Sequence, residues 1–144
     1  MLDIDDFKQV NDTHGHPVGD RVLYCAAEWL RKYVRATDFL ARYGGEEFVI
    51  ILPDISMDDA RQRLEQLRTD LTRMIVREDG QSIQAVTVSM GMAYFPAHGR
   101  SSQTLLHAAD QALYRAKEMG RDRIAVASEE PQAKTMADWP ATTS

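Results

Sequence analysis

Cysteine is almost missing from this chain: Cys25 is the only one in 144 residues. That excludes an internal disulfide and a cysteine metal cluster. It leaves Cys25, in an apolar-rich stretch around Val22 and Trp29, to pack as a small buried hydrophobe. No hydrophobic run approaches the ~20 residues that span a bilayer, and no segment has the pattern of a signal peptide. Positive charge is not in excess either, with 17 basic residues against 22 acidic ones and a net charge of −5. A general nucleic-acid or anionic-membrane surface is therefore disfavoured, whereas a local basic pocket stays open. Internal repeats and coiled-coil heptads are also lacking, so no supercoiled dimer is written into the chain. The expectation is one soluble, cytoplasmic domain with no nucleic-acid partner and no membrane segment. A hydrophobic content of 44% is enough for a real core at this length.

What is present is a mixture of helical and strand periodicities. Asp3 stands at the end of a first strand, and Phe7 and Val10 begin a short helical face. The spacing of Val22, Ala26, Trp29, Leu30 and Tyr33 predicts a helix over 18–34. Two β-forming runs, Phe39–Tyr43 and Phe48–Leu52, flank Gly44-Gly45-Glu46-Glu47 and predict a hairpin with a glycine-containing tip. Ser56 is an N-cap for a helix from Met57 to about Arg77, burying Ala60, Leu64, Leu67, Leu71, Met74 and Ile75, with Glu78-Asp79-Gly80 as its breaker. Ile83–Tyr94 reads as one long strand in which Val86, Val88 and Met90 alternate. Ser102–Met119 is a third long helix carrying Leu105, Leu106, Ala109, Leu113 and Ala116; Gly120 closes it, and Ile124–Val126 is a last strand. These elements make a domain over 1–127. From Ser128 the composition turns to Glu, Pro, Ala, Thr and Ser with a lone Trp139, which predicts a disordered tail over 128–144. The mixture favours an α+β fold, a sheet with helices packed on its faces.

The chemistry lies in the acids. Glycines at a hairpin tip allow a sharp turn and close approach of a bound group. Adjacent carboxylates there repel each other unless a cation joins them, the bland alternative being a solvated acidic turn. Mg2+ takes oxygen ligands, commonly one or two carboxylates plus substrate phosphates. Asp3 and the Glu46/Glu47 pair would supply them from neighbouring strand ends. His14 and His16 flank Gly15, but two histidines fall one protein ligand short of a zinc site.

Six short motifs then recur in a telling order: Asp3-Ile4-Asp5-x-Phe7-Lys8-x-x-Asn11-Asp12, Gly15-His16-x-x-Gly19-Asp20, Arg35-x-x-Asp38, Gly44-Gly45-Glu46-Glu47-Phe48, Val88-Ser89-Met90-Gly91-Met92-Ala93, and Asp110-x-Ala112-Leu113-Tyr114-x-Ala116-Lys117-x-x-Gly120-Arg121. Over residues 1 to about 127 the chain resembles the GGDEF family, the diguanylate cyclases. The resemblance implies a ferredoxin-like palm with a central, mostly antiparallel sheet, helices on its faces and the hairpin carrying Gly-Gly-Glu-Glu-Phe. It implies condensation of two GTP into cyclic di-GMP. Asp3, the Ile4 carbonyl, Glu46 and Glu47 would hold Mg2+, with Mn2+ as the alternative ion. The base role stays undivided between Glu46 and Glu47.

For the substrate, the backbone of Asp6 and Phe7 would cap phosphates as helix N-termini do, and Lys8, Lys117 and Arg121 would add positive charge. Asn11 and Asp20 would read the guanine edge. His16 would contact nucleotide or solvent, and Gly44 and Gly45 would leave room. Arg35 and Asp38 match the product-inhibition site, with a second arginine left open among Arg61, Arg63 and Arg68. Implied partners are GTP, cyclic di-GMP, a second copy in a transient homodimer, and an upstream sensor or dimerisation module in a longer parent chain. The family's first helix and most of its first strand are not matched, which predicts an open sheet. The alternative reading is a catalytically weak or inactive module that binds GTP or cyclic di-GMP. Retention of Asp3, Glu46 and Glu47 favours the enzyme.

Overall fold

A strand of three residues, β1 (Leu2–Ile4), sorts the polar from the apolar half of the molecule. It lies at the centre of a five-stranded sheet of order β2-β3-β1-β6-β7, formed with β2 (Phe39–Arg42), β3 (Glu47–Ile51), β6 (Val88–Met92) and β7 (Ile124–Val126). The remaining elements are α1 (Phe7–His14), α2 (His16–Tyr33), α3 (Met57–Leu71), α4 (Ser102–Glu118) and a separate two-stranded sheet of β4 (Ile75–Glu78) and β5 (Gln81–Gln84). The computed structural model describes residues 1–84 and 86–129. All pairings in the large sheet are antiparallel except β6 with β7. This is the expected α+β palm-like arrangement.

Successive side chains on a strand point to opposite faces. Leu2 and Ile4 therefore share one face with their neighbours Phe48, Met90 and Val88. Helices α2 and α3 cover that face with Val22, Leu23, Ala26, Leu30, Leu67 and Leu71. Burial of a Leu or Ile here contributes about 2 kcal/mol per side chain. Asp3 points to the other face, where α4 lies over β6. A Cβ on Gly91 would stand 1.9 Å from the Ala109 carbonyl and 2.3 Å from the Leu113 nitrogen, so α4 rests directly on the strand backbone.

Helices start where capping chemistry says they should. The Ser56 side chain accepts from the Asp59 amide at 3.1 Å, with Asp58 and Asp59 in the first turn of α3. Ser101 and Thr104 form a reciprocal capping box for α4. Helix α2 begins at His16, two residues before the expected start, because Pro17 fits its first turn. Cys25 is half-buried at the edge of the core.

Three expectations fail locally. Helix α3 ends at Leu71, not near Arg77. After it, Met74 and Val76 are buried while Ile75 is 47% exposed, a switch from helical period to period two. The expected breaker Asp79-Gly80 is a hairpin turn, with φ of 49° and 73° at its two central residues. The expected strand Ile83–Tyr94 is two strands in two sheets, β5 paired only with β4 and β6 paired in the large sheet. Of the predicted tail, Ser128 and Glu129 are exposed and outside any helix or strand, and 130–144 lie outside the described residues. No helix among the described residues is long and apolar enough to cross a membrane.

Candidate active site

The pleat of β1 and its register with β3 set Asp3 opposite Glu47. The Ile4 amide donates to the Glu46 carbonyl at 3.2 Å, so Asp3, Ile4, Glu46 and Glu47 meet at one end of the sheet. Lys117, in the last turn of α4, places Nζ 3.0 Å from Asp3 Oδ2. Asp3 is only 4% exposed. Burial pushes its pKa above the usual carboxylate value; Lys117 opposes that shift, and the charges of Glu46 and Glu47 reinforce it. Three carboxylates and a backbone carbonyl form a hard-oxygen donor set, which fits Mg2+. Among the described residues no three acidic, His or Cys side chains already close into a cage.

The tip is held by its own backbone and by Arg42. The Tyr43 and Gly44 amides donate to the Glu47 carbonyl at 2.8 and 3.3 Å. Arg42 donates to the carbonyls of Gly44 at 3.2 Å and Gly45 at 2.6 Å. Neither glycine has the left-handed φ that a sharp turn is expected to demand. Gly44 is needed for space instead, since a Cβ there would stand 2.5 Å from Glu47 Oε2. A Cβ on Gly45 would meet nothing within 4 Å, leaving that side of the tip open.

Next to this group lies the start of α1. Asp6, its N-cap, has φ 53° and makes no side-chain cap. The first-turn amides of Phe7 and Lys8 lack intrahelical acceptors by construction, and Lys8 is exposed. Arg121 Nε stands 3.4 Å from Asp6 Oδ1. Further along, α1 packs on α2 at Gly19, where a Cβ would fall 1.7 Å from Asn11 Oδ1. Asn11 Oδ1 is buried and has no hydrogen-bond partner among the described residues. Asp20 and His16 are exposed on the same helix pair. His14 is tied to Gln81 of β5 at 2.7 Å. His98, to which the sequence gives no role, is buried and accepts from the Tyr94 amide through Nδ1.

Asp5 is the residue that sequence reasoning leaves without a task. It is 6% exposed and accepts hydrogen bonds from Thr87, Ser89 and the Asp122 amide. Its placement two residues after Asp3 was the available signal, because that spacing sets both on one face.

Arg35 and Asp38 lie elsewhere, at the opposite end of β2 from the tip. Four strand rises put Asp38 roughly 14 Å from Arg42. The two are joined through the backbone, with the Arg35 amide donating to Asp38 Oδ2 at 2.6 Å. The ion pair at Asp38 is made by Arg63, whose Nη2 stands 2.5 Å from Oδ2 and 2.6 Å from the Tyr33 carbonyl. Burial alone would raise the Asp38 pKa, but the bonds from Arg63 and the Arg35 amide hold it below the usual value. Of the other two arginines, Arg61 is exposed and Arg68 is engaged by Glu65 and Asp122.

Comparison with known proteins points one way. The family model described as "Diguanylate cyclase, GGDEF domain" matches residues 1–123. Diguanylate cyclase DgcP of Pseudomonas aeruginosa is 46% identical over 127 residues, covering 88% of this chain and 19% of DgcP. The GGDEF domain of DgcB from Caulobacter crescentus, solved in complex with c-di-GMP, superposes with a TM-score of 0.80 at 37% identity, covering 87% of this chain and 74% of that one. The active GGEEF domain of a Vibrio cholerae diguanylate cyclase gives a TM-score of 0.78 at 30% identity, covering 90% of this chain and 81% of that one. With its hairpin, its strand-end acids and its whole described fold accounted for by one family, this chain belongs to the GGDEF family of diguanylate cyclase domains.

Proposed function

We propose that this domain joins two GTP into cyclic di-GMP and releases two pyrophosphates, the 3′-hydroxyl of each GTP attacking the α-phosphorus of the other. The observation that carries the proposal is the meeting of Asp3, Glu46, Glu47 and Lys117 at one end of the sheet. Such a cluster leaves three negative groups facing one cation, a deficit that a divalent ion would balance; the triphosphate would then reach the site through that ion. Asp3, the Ile4 carbonyl, Glu46 and Glu47 would hold Mg2+ or Mn2+. The bound ion would neutralise charge on the transferring phosphate. Glu46 or Glu47 would accept the proton of the attacking hydroxyl. Lys117 and Arg121 would carry charge along the triphosphate, and the amides of Asp6 and Phe7 with Lys8 would cap its oxygens.

Guanine selection follows from Asn11 and Asp20. The Asn11 amide would donate to guanine O6, and the Asp20 carboxylate would accept from the N1–H and N2–H2 edge. Guanine offers N1–H and N2–H2 donors and adenine does not, so ATP would leave these groups unpaired. Each chain holds one GTP, so turnover needs two copies face to face in a transient homodimer. Arg35 and Asp38 would bind the product; the DgcB domain, 37% identical to this chain, was solved in complex with c-di-GMP. Because the chain spans only 19% of DgcP, an upstream sensor or dimerisation module belongs to the same proposal.

The decisive experiment is incubation with GTP and Mg2+ and identification of the product by mass. Cyclic di-GMP with two equivalents of pyrophosphate is expected, its initial rate rising with the square of protein concentration below the dimerisation constant. Tight GTP binding without turnover would favour the silent binding module instead.

A further inference from the structure

Asp5 spends its whole carboxylate on protein donors. Oδ1 accepts from Ser89 Oγ at 2.6 Å, and Oδ2 accepts from Thr87 Oγ1 at 2.7 Å and from the Asp122 amide at 3.0 Å. Its own amide donates to the Thr87 carbonyl at 2.9 Å. Asp5 thus ties the end of β1 to β6 and to the loop that follows α4. That loop needs tying. Gly120, Arg121 and Asp122 have φ of 113°, 63° and 46°, three consecutive residues in the left-handed region, two of them not glycine. L-residues adopt that conformation only where their surroundings over-determine it. The surroundings supply several bonds: the Gly120 and Arg121 amides donate to the Lys117 and Ala116 carbonyls at 3.3 and 3.0 Å, Arg123 donates to the Arg121 carbonyl at 2.9 Å, Arg68 reaches the Asp122 carboxylate at 2.5 Å and its carbonyl at 3.1 Å, and Asp5 is the one carboxylate that takes the Asp122 amide. Arg121, at the middle of this strained stretch, projects to within 3.4 Å of Asp6 at the start of α1.

We propose that Asp5 is a positioning residue: its carboxylate locks the Gly120–Asp122 loop and so aims the Arg121 guanidinium at the phosphate-binding end of α1. The assignment rests on the reading that Arg121 meets the triphosphate of GTP. It separates the two acids of the Asp3-Ile4-Asp5 segment, one on β1 and one just past its end, which serve different partners. Asp3 is left to face the hairpin acids and Lys117, while both carboxylate oxygens of Asp5 are already engaged by protein donors.

Binding of a non-hydrolysable GTP analogue with Mg2+, measured by calorimetry, tests this. R121A should weaken binding by about tenfold, the loss of one charge-assisted contact. D5A should weaken it by a similar factor, and D5A/R121A should be no weaker than the worse single variant, since coupled residues are not additive. D5N should stay within about twofold of the parent, because an amide oxygen in the Oδ2 position still accepts from Thr87 and Asp122 while its NH2 donates to Ser89. The Mg2+ concentration that half-saturates binding should be the same in D5A and the parent. Additive losses would overturn the latch. D5N as damaging as D5A, with a raised Mg2+ requirement, would overturn it in favour of a metal-ligand role. R121A without effect would remove the phosphate reading and the latch with it, whereas R121A weakened and D5A unaffected would remove the latch alone. Should D5A fail to fold, T87V deletes a single donor to Asp5. It should weaken binding about threefold in the parent and not at all in R121A, and equal losses in both backgrounds would overturn the proposal.

Discussion

The two ends of the β2–β3 hairpin treat their carboxylates in opposite ways. Beside the tip, Asp3 pairs with Lys117, yet burial first, and then the charges of Glu46 and Glu47, keep its pKa raised. At the base, Asp38 alone takes the Arg63 guanidinium and the Arg35 amide, and its lowered pKa records the surplus. A ligand at the tip completes an electrostatic deficit. A ligand at the base must displace or rearrange a finished ion pair before Asp38 can accept from it. On the proposed reading, substrate binding at the first would be helped by the site, whereas product binding at the second would be resisted by it.

Breaking the tip should have the largest effect. Glu47→Gln or Glu46→Gln is expected to lower turnover about 10^3-fold, with the urea midpoint little changed because both side chains are half-buried at the end of the sheet and outside the apolar core. Near-parental GTP consumption in either variant would end the assignment. Breaking the base should be felt in stability instead. Arg63→Ala leaves Asp38 charged and without its ion partner, at a cost of about 2 kcal/mol in urea denaturation at neutral pH. The sign with pH is fixed by the lowered Asp38 pKa. Its stabilisation is complete above the unfolded value of about 3.9 and is lost as pH falls through the lower folded value. The gap between parent and variant should therefore close in acid, and a gap independent of pH would show that Arg63 acts through packing alone.

A smaller effect belongs to Arg35, whose side chain is exposed. Arg35→Ala should weaken cyclic di-GMP binding about tenfold, the loss falling on product affinity rather than on the initial rate. Equal affinities by calorimetry would detach this residue from product binding. The smallest expected effect sharpens the comparison from the other side. Because the Asp3 pKa is raised, its contribution to stability is present below the unfolded value and is lost as pH rises through the folded one. Asp3→Asn should thus raise the urea midpoint slightly at neutral pH, with the difference vanishing in acid, even as it removes turnover. A lowered midpoint would mean that the Lys117 bond outweighs the burial of Asp3.

Much of this was readable in the chain because it is local. Helices α2 and α4 and the hairpin follow from side-chain periodicity and turn chemistry within a few residues. What could not be read depends on distant packing. The end of α3 was hidden because Met74 and Ile75 continue a helical stripe, and only the burial of Met74 with Val76 shows that the chain has become a strand. Even so, Asp79-Gly80 between two β-capable runs carried a hairpin signal. The three arginines of α3 look alike in sequence, and Arg63 is singled out by the approach of that helix to the Tyr33 carbonyl. Asp5 meets hydroxyls more than 80 positions away, which no local pattern encodes.

The alternation along β1 has a consequence for mutation. Its three residues work as a reading frame in which odd positions are chemical and even positions structural. Conservative replacements at Leu2 or Ile4 should be absorbed by the core, since apolar swaps of similar volume are cheap. A one-residue insertion or deletion between Asp3 and Phe7 cannot be absorbed in the same way, because a slip of one residue turns every side chain on the shifted side to the opposite face. Deleting Ile4 would carry Asp5 into its place in the hydrophobic layer, and inserting a residue before Ile4 would carry Ile4 into the place of the latch. Apolar replacement at Leu2 or Ile4 is thus expected to leave both tasks in place, whereas a change in the length of this segment is expected to disrupt one of them.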